Sequence, residues 1–393
     1  MSPALPLRAM PQAAPAWSAR FARLTTSARL GLAIFLLTAA FTPESQAADA
    51  TIAGMTYRPL TDIAKLYDMK TSWETPGKTM QLQNEYCTIT GTLSERFIRI
   101  NNEPVALGYP IVQKQGVFYL AKSDFDSQLF PLLSPAQIPG AVPSLHKIVI
   151  DPGHGGNDPG TEVFPGGKTP PAGSNVKAID NEKTHTLEVA MLLAAELRKR
   201  GYEVLLTRTT DINVDKPERT VMANKANADL YISIHFNQAD QDYVNGTETW
   251  LLPPKGQPSS DMQPAATDKR ELPGNKFDAW NVIAGFSMEK AVTKALGTVN
   301  RGVKRKHLIV LDGLNMPGLL IECGFLSNPA ERAKIDTADF RQKIAVAIAD
   351  GVDLYKATLD RVRPKPLAPP TPPAATASKA AGTGAAGTGT AKK

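Results

Sequence analysis

From His146 to about Leu359, short apolar runs alternate with segments of helical periodicity. The runs "KIVID", "YEVLLT", "DLYISIH", "TETWLL", "HLIVL" and "GLLIEC" are compact and rich in β-branched residues, the pattern of strands buried on both faces. Between them "NEKTHTLEVAMLLAAELRKRG", "KPERTVMANKAN", "FDAWNVIAGFSMEKAVTKAL" and "TADFRQKIAVAIADGVDLYKATL" repeat apolar positions three and four apart, as helices do. The alternation predicts an α/β domain over residues 146–359: a twisted, mostly parallel six-stranded sheet with helices on both faces. Residues 51–132 read differently. "YRPLTDIAKLYDM" places Leu60, Ile63 and Ala64 on one helix face, and "TMQLQ", "CTITG", "RFIRI" and "GVFYLA" are short alternating strands, so a small α+β domain precedes the larger one. "LLSPAQIPGAVPSL" supplies three prolines and a glycine, and residues 133–145 are expected to be a linker.

Two segments break the alternation. Thr161 to Asp180 and Pro253 to Lys276 are rich in Pro and Gly and are expected to be loops at the rim of a site. Residues 363–393, dominated by Pro, Ala, Gly and Thr, lack the apolar groups to build a core and read as a disordered tail. At the other end, Arg8, Arg20, Arg23 and Arg29 precede the apolar run "LGLAIFLLTAAF" and the small residues of "SQAADA". That run is too short to span a bilayer and has the order of a secretory signal peptide, residues 1–47, cleaved after Ala47. An exported protein in the periplasm or cell wall, with no stable membrane insertion after cleavage, is the expectation.

Composition narrows this further. The net charge of +6 falls to +3 once the leader's four arginines and one glutamate are removed, and no basic stripe remains, so nucleic acid is not indicated. The two cysteines, Cys87 and Cys323, fall in separate predicted domains and make no disulfide framework; both are expected to be free and buried.

In open parallel sheets, ligands bind beyond the carboxyl ends of the strands. His154 follows "KIVIDPG", His235 ends "LYISIH", Glu322 ends "GLLIE", and Glu182 opens the first long helix of the larger domain. Two neutral imidazoles and one carboxylate form a common catalytic zinc set, and a second carboxylate can take a proton from metal-activated water. His154, Glu182 and His235 fit the ligand roles and Glu322 the acid/base role. Read singly, Glu182 is an ordinary first-turn helix carboxylate and His154 a turn residue. His235 and Glu322, ending buried strands, are harder to place without partners. A phosphate loop at "DPGHGG" is disfavoured, since the helix that comes next opens with an acidic residue, Glu182.

Six separated segments, "IVIDPGHGGNDPG", "NEKTHTLEVA", "VLLTRTTD", "ERTVMANKANADLYISIHFN", "RGVKRKHLIVL" and "MPGLLIECGFLSNPAE", resemble in order those of the zinc-dependent N-acetylmuramoyl-L-alanine amidases of the amidase type 3 family. The resemblance implies zinc held by His154, Glu182 and His235, Glu322 as catalytic acid/base, and hydrolysis of the bond between N-acetylmuramic acid and L-alanine in peptidoglycan. Arg208, Asp211 and Arg219 are expected to hold a loop through ion pairs, Asn237 to orient a loop or touch substrate, and His146 and His307 to be structural or solvated. His185, three residues after Glu182 in an ExxH pair that could bind metal, is expected to be a helix-face residue because the family has no ligand there. Some family members carry an inhibitory helix released by a protein activator. Prolines and glycines interrupt both long loops here, so substrate-shaping loops and constitutive activity are expected, with an activator not indicated. The first domain resembles the copper amine oxidase-like N-terminal domain in "YRPLTDIAKLY", "RFIRINNEPVALGYPIV" and "GVFYLAKSDF"; it has no histidine and one cysteine, a poor copper set. Two alternatives stay open: a zinc peptidase acting on the stem peptide, and an inactive wall-binding relative.

Overall fold

The computed structural model describes residues 49–167, 170, 173–263 and 269–364. The expected signal peptide, and all but the first two residues of the expected tail, lie outside them.

The first strands are β1 (Ala50–Ile52) and β2 (Met55–Pro59), followed by helix α1 (Leu60–Leu66), whose buried face is Leu60, Ile63 and Ala64. An antiparallel meander follows: β3 (Lys70–Thr75), β4 (Thr79–Gln83), β5 (Thr88–Thr92), β6 (Phe97–Ile100) and β7 (Glu103–Ala106). Period-two alternation sends Met80, Leu82, Ile89, Ile98, Ile100 and Val105 into one core with α1. A hairpin of β8 (Val112–Lys114) and β9 (Val117–Ala121) joins β1 and β2 in a separate four-stranded sheet. The short helices α2 (Lys122–Asp124) and α3 (Phe130–Leu133) lead out of this module, and a 3-10 turn at Pro135–Gln137 lies in the connection.

The larger region begins with β10 (Lys147–Pro152), buried along almost its whole length. A short antiparallel pair, β11 (Glu162–Val163) and β12 (Asp180–Asn181), frames the first long loop, and α4 (Glu182–Lys199) follows directly. Then come β13 (Glu203–Leu206), α5 (Lys216–Lys225), β14 (Leu230–Asn237), β15 (Thr247–Leu251), α6 (Asp278–Leu296), β16 (Asn300–Arg305), α7 (Ile309–Asp312), β17 (Gly318–Phe325), α8 (Pro329–Ile335) and α9 (Ala338–Val362). Helices α4, α6 and α9 bury their apolar stripes against one face of the sheet, and α5 and α7 cover part of the other. Among the described residues no helix is long and apolar enough to cross a membrane.

The sheet differs from the expected six-stranded, mostly parallel one. It has eleven strands in the order β13-β10-β14-β17-β15-β16-β7-β6-β5-β4-β3, and it is mixed. Strands β13, β10, β14 and β17 are mutually parallel; β15 is antiparallel to β17, and β16 runs parallel to β15. Beyond β16 the sheet passes into the N-terminal meander through β7, where Val303 pairs with Val105.

Two segments explain the difference. "HLIVL" is not a strand: Ile309–Asp312 is one helical turn with Val310 and Leu311 buried and Ile309 exposed. The sixth strand of this region is "NRGVKR", whose charge disguises it. Lys304 is neutralised by Glu248, and the buried Arg305 is satisfied by hydrogen bonds to Gln128 Oε1 (2.8 Å) and the Leu252 carbonyl (2.8 Å).

Arg305 belongs to a buried polar junction between the two parts of the chain. Nearby Asp124 accepts hydrogen bonds from the Gly108 and Tyr109 amides at 2.7 and 3.0 Å. Burial outweighs these bonds and the nearby Arg96 and Arg305 and pushes the Asp124 carboxyl up to about 7. Burial likewise pushes Asp278 up to about 6, against Arg305 and Asn275, and lowers Arg305 to about 10.

Candidate active site

Three of the four predicted chemical residues are brought together by the parallel strands and the helix after them. Strand β10 delivers the loop with His154, α4 starts at Glu182, and β14 carries His235. His154 Nε2 lies 3.2 Å from Glu182 Oε2, and His235 Nδ1 lies 2.8 Å from Glu182 Oε1. The imidazole rings meet edge to face with centroids 4.9 Å apart. One donor atom from each residue falls within 4.8 Å of the other two. Glu322 on β17 is the register partner of His235, and both line one cleft of about 820 Å³ with His154.

The backbone around these groups is shaped for close approach. His154 takes a left-handed φ of 61°, which a non-glycine residue adopts only when its surroundings hold it there. A Cβ at Gly160 (φ 68°) would stand 2.6 Å from Glu182 Oε2 and 2.7 Å from His154 Cδ2, and one at Gly153 would stand 2.3 Å from His235 Cε1. The glycines therefore do more than bend the chain, because side chains there would occupy the space of the site itself.

Hydrogen bonds fix the carboxylate and the loop. Glu182 accepts from the amides of Thr161 (2.9 Å) and Phe236 (3.0 Å), and His154 Nδ1 faces Asp158 at 2.9 Å. Burial would raise the Glu182 carboxyl, but the two histidines outweigh it and hold it well below the usual range. For His154 burial pulls the other way from Glu182 and Asp158, which win and raise it.

Beneath the loop, the fully buried Asp151 pairs with Arg219 at 2.8 Å and accepts from Thr207, Tyr231 and Ser233. Arg219 also donates to the carbonyls of Pro152 (2.7 Å) and His154 (2.8 Å), and Arg208 to those of Pro152, Gly153 and Lys183. Asp211 receives the Gly156 amide and Lys183 Nζ at 2.7 Å each. Arg208 thus holds the loop through backbone carbonyls instead of an ion pair, whereas Asp211 and Arg219 make the expected ion pairs, with Lys183 and with the unexpected hub Asp151. Its only signal in the sequence is a carboxylate closing a wholly buried run.

On the far side of Glu322 lies a second carboxylate, absent from the sequence-based expectations. Glu248, buried within "TETWLL", is the antiparallel register partner of Glu322. It accepts from Asn237 Nδ2 (2.7 Å), Trp250 Nε1 (3.0 Å), Arg301 Nε (2.8 Å) and Lys304 Nζ (2.5 Å). Asn237 thus braces the strands through Glu248. Glu322 Oε2 is buried with no hydrogen-bond partner in the protein. Burial first, then the charges of Glu182 and Glu248, push the Glu322 carboxyl well above its usual range, against Lys306 and Lys304.

The remaining histidines fall elsewhere. His185 is buried on α4 with Nε2 at 2.8 Å from Asp180 and 3.6 Å from Asp336, a brace at the start of the helix. His146 is exposed. His307, expected to be structural or solvated, stands in the cleft wall with Leu308, Ile309 and Val310. Cys87 and Cys323 are both free, the second buried and the first half-buried. Among the described residues, the loop 161–180 carries no α-helix and the segment 253–277 only a 3-10 turn at Pro273–Phe277.

Several known proteins are similar to part of this chain. The N-acetylmuramoyl-L-alanine amidase AmiC of Escherichia coli O6:H1 is 30% identical over 258 residues, 60% of this chain and 58% of that protein. The sporulation-specific N-acetylmuramoyl-L-alanine amidase of Bacillus subtilis is 31% identical over 53% of this chain and 67% of its own length. The solved N-acetylmuramoyl-L-alanine amidase of Clostridium difficile 630 is 29% identical and aligns with 54% of this chain and 97% of that one, at a TM-score of 0.42. The chain thus spans little more than half the length of the AmiC relatives it matches, 58% and 52%. The profile of one family, described as N-acetylmuramoyl-L-alanine amidase, covers residues 148–353, more than half of the sequence, and the chain belongs to that family.

Proposed function

We propose that the chain is an exported, zinc-dependent N-acetylmuramoyl-L-alanine amidase that hydrolyses the amide bond between N-acetylmuramic acid and the L-alanine of the stem peptide in peptidoglycan. The observation that carries this reading is the convergence of His154, Glu182 and His235, with Glu322 paired beside His235 in the same cleft. Two imidazoles and a carboxylate whose donor atoms lie within 4.8 Å suit a metal with bonds of about 2 Å. Asp158 against His154 Nδ1 is the outer carboxylate that commonly fixes a ligand's tautomer and leaves Nε2 for the metal.

Bound there, zinc would acidify a water molecule towards neutrality and polarise the lactyl carbonyl. The protein's own residues do the rest. A cation held beside it would favour the charged form of Glu322, whose Oε2 lacks any protein partner, and the carboxylate then takes the proton of the attacking water as the oxygen bonds to the carbonyl carbon. The carbon–nitrogen bond then breaks, and Glu322 returns the proton to the L-alanine nitrogen, freeing an amine and a muramic carboxylate. Arg219 and Arg208 keep the His154 loop in place during this, through backbone carbonyls on either side of it. The apolar cleft wall of Val214, Pro217, Leu308 and Val310 offers a surface for the stem peptide. The N-terminal module, which resembles the copper amine oxidase-like domain, serves as an accessory unit without copper.

The test is digestion of purified peptidoglycan with mass analysis of the products. Stem peptides bearing a free L-alanine amine are expected. Products with L-alanine still joined to muramic acid would identify a peptidase instead.

A further inference from the structure

The catalytic face of the sheet does not end at the catalytic residues. Strand alternation carries it across the junction into the N-terminal module. Lys304 lies over the Trp250 ring at 5.2 Å and reaches Glu248, so it shares the face of Glu322, whereas its neighbour Val303 points into the opposite core. Val105, paired with Val303, points to the same side of the sheet, into the core of the N-terminal module, which leaves Pro104 on the catalytic face of β7. By the same alternation Phe97 and Arg99 on β6, Thr90 and Thr92 on β5 and Thr79 on β4 share it, while Ile98, Ile89 and Met80 are core.

These residues line a trough of about 560 Å³ whose wall at the junction is Arg301. Arg301 donates through Nε to Glu248 at 2.8 Å, and Glu248 is the register partner of Glu322. From β17 to β5 is five strand spacings, about 24 Å at ~4.8 Å each. The trough thus continues the catalytic face away from the cleft instead of forming a separate pocket behind it.

Its chemistry is particular. Thr90 and Thr92 are half-buried, Arg99 is exposed and the half-buried Phe97 offers a ring. Three cations, Lys78, Arg99 and Arg301, face two carboxylates, Glu74 and Glu95, so no single charge sign dominates. Hydroxyls, amides and one aromatic ring, with cations outnumbering carboxylates by only one, suit an uncharged, hydroxyl-rich ligand better than a polyanion. The trough opens on the sheet face and reaches β3 only at its end, through Glu74 and Thr75, whereas an extended peptide would add as a strand along the free edge of β3.

We infer that this trough is a second saccharide subsite, which holds the glycan strand of the substrate some sugar rings away from the muramic acid being cut. The inference rests on the amidase reading above for the nature of the substrate. It assigns the N-terminal module a part in substrate binding: long strands are held at two places on one rigid sheet, whereas a single muramoyl peptide reaches only the cleft.

The test uses the full mature chain and the double variant Thr90→Val/Arg99→Ala, both positions lying outside the catalytic network. The variant is assayed on a minimal muramoyl peptide and on long uncrosslinked glycan strands. Removal of two polar contacts is expected to raise KM on long strands about tenfold and to leave the minimal substrate unaffected. Calorimetric titration with a soluble hexamer of β-1,4-linked N-acetylglucosamine should show the same loss of affinity, with an unchanged unfolding midpoint excluding misfolding. A variant equal to the parent on long strands, or oligosaccharide binding that ignores the substitutions, overturns the inference. Binding of free stem peptide in the trough does so as well. If the parent protein cuts neither substrate, the amidase reading fails, and the oligosaccharide titration still decides the trough by itself.

Discussion

The two halves of the eleven-stranded sheet place polar residues on the same face and treat them in opposite ways. In the half built on β10, β14, β15 and β17 the polar side chains are buried and heavily bonded: Asp151 on β10 has four side-chain partners, Glu248 on β15 four, and Glu182, at the start of the adjoining α4, two imidazoles and two amides. On β4, β5 and β6 they are Gln81, Thr90, Thr92 and Arg99, half-exposed or exposed, beside the buried Thr79; their side-chain bonds are few, Thr79 with Thr92, Ser72 to Gln81 and Arg99 to the Asn102 carbonyl. Buried charge is tolerated only when it is fully partnered, so the first half is rigid and exacting. The second half keeps its hydrogen-bonding capacity for something outside the protein. Glu322 is the exception in the first half, because one of its buried oxygens has no protein partner. That is the oxygen to expect on a group that handles a proton of water.

Substitutions should separate the halves by the size of their effects. Glu322→Gln is expected to lower turnover by about 10²–10⁴-fold while zinc content stays normal, measured by product release and elemental analysis of the same sample. Asp151→Asn, or Arg219→Ala, breaks a buried pair under the His154 loop and should cost about 3–5 kcal/mol in denaturant unfolding. Near-parental stability in either variant would show that the loop is held by other means. Gly160→Ala puts a methyl group against Glu182 and His154 and should weaken metal affinity by about 10–100-fold in a competition with a chromophoric chelator.

The smallest effect belongs to the junction between the halves. Asp124 and Asp278, raised to about 7 and about 6 from an ordinary 3.8, favour the neutral form in the folded protein. Their contribution to stability is therefore full below about pH 4 and lost as pH climbs through 6 to 7. Unfolding midpoints and amide exchange of β7 and β16, followed from pH 5 to 8, should show the junction loosening as the solution becomes alkaline. An unchanged or stiffer junction across that range would contradict the assignment.

Much of the site is legible in the sequence because its residues interrupt strong patterns. Glu322 sits between "LLI" and "CGF", and His235 ends a buried strand, so burial alone demands a partner for each. Glu182 is harder to single out, since a carboxylate opening a helix is commonplace; only its meeting with two histidines distinguishes it. Asp151 and Glu248 are inconspicuous because each reads as one polar letter in an apolar run, and their partners lie up to 82 residues away. The extent of the sheet is illegible for a related reason. "NRGVKR" carries three cationic residues, and its strand exists only because Glu248 and Gln128 satisfy Lys304 and Arg305 from other elements. Conversely "HLIVL" has the composition of a strand, but it forms a single turn in the cleft wall, with two apolar residues inward and Ile309 outward. Local pattern identifies the elements whose burial is local, and misses those whose partners are distant.

The central claim is that His154, Glu182 and His235 make one metal centre that serves Glu322. Its most direct test is the zinc content of the purified mature chain and of the His235→Ala and Glu322→Gln variants, paired with release of L-alanine-terminated peptides from purified sacculi. Equimolar zinc is expected in the parent and in Glu322→Gln, with little in His235→Ala, and product from the parent alone until a chelator stops it. An active parent free of zinc and indifferent to chelator would contradict the account.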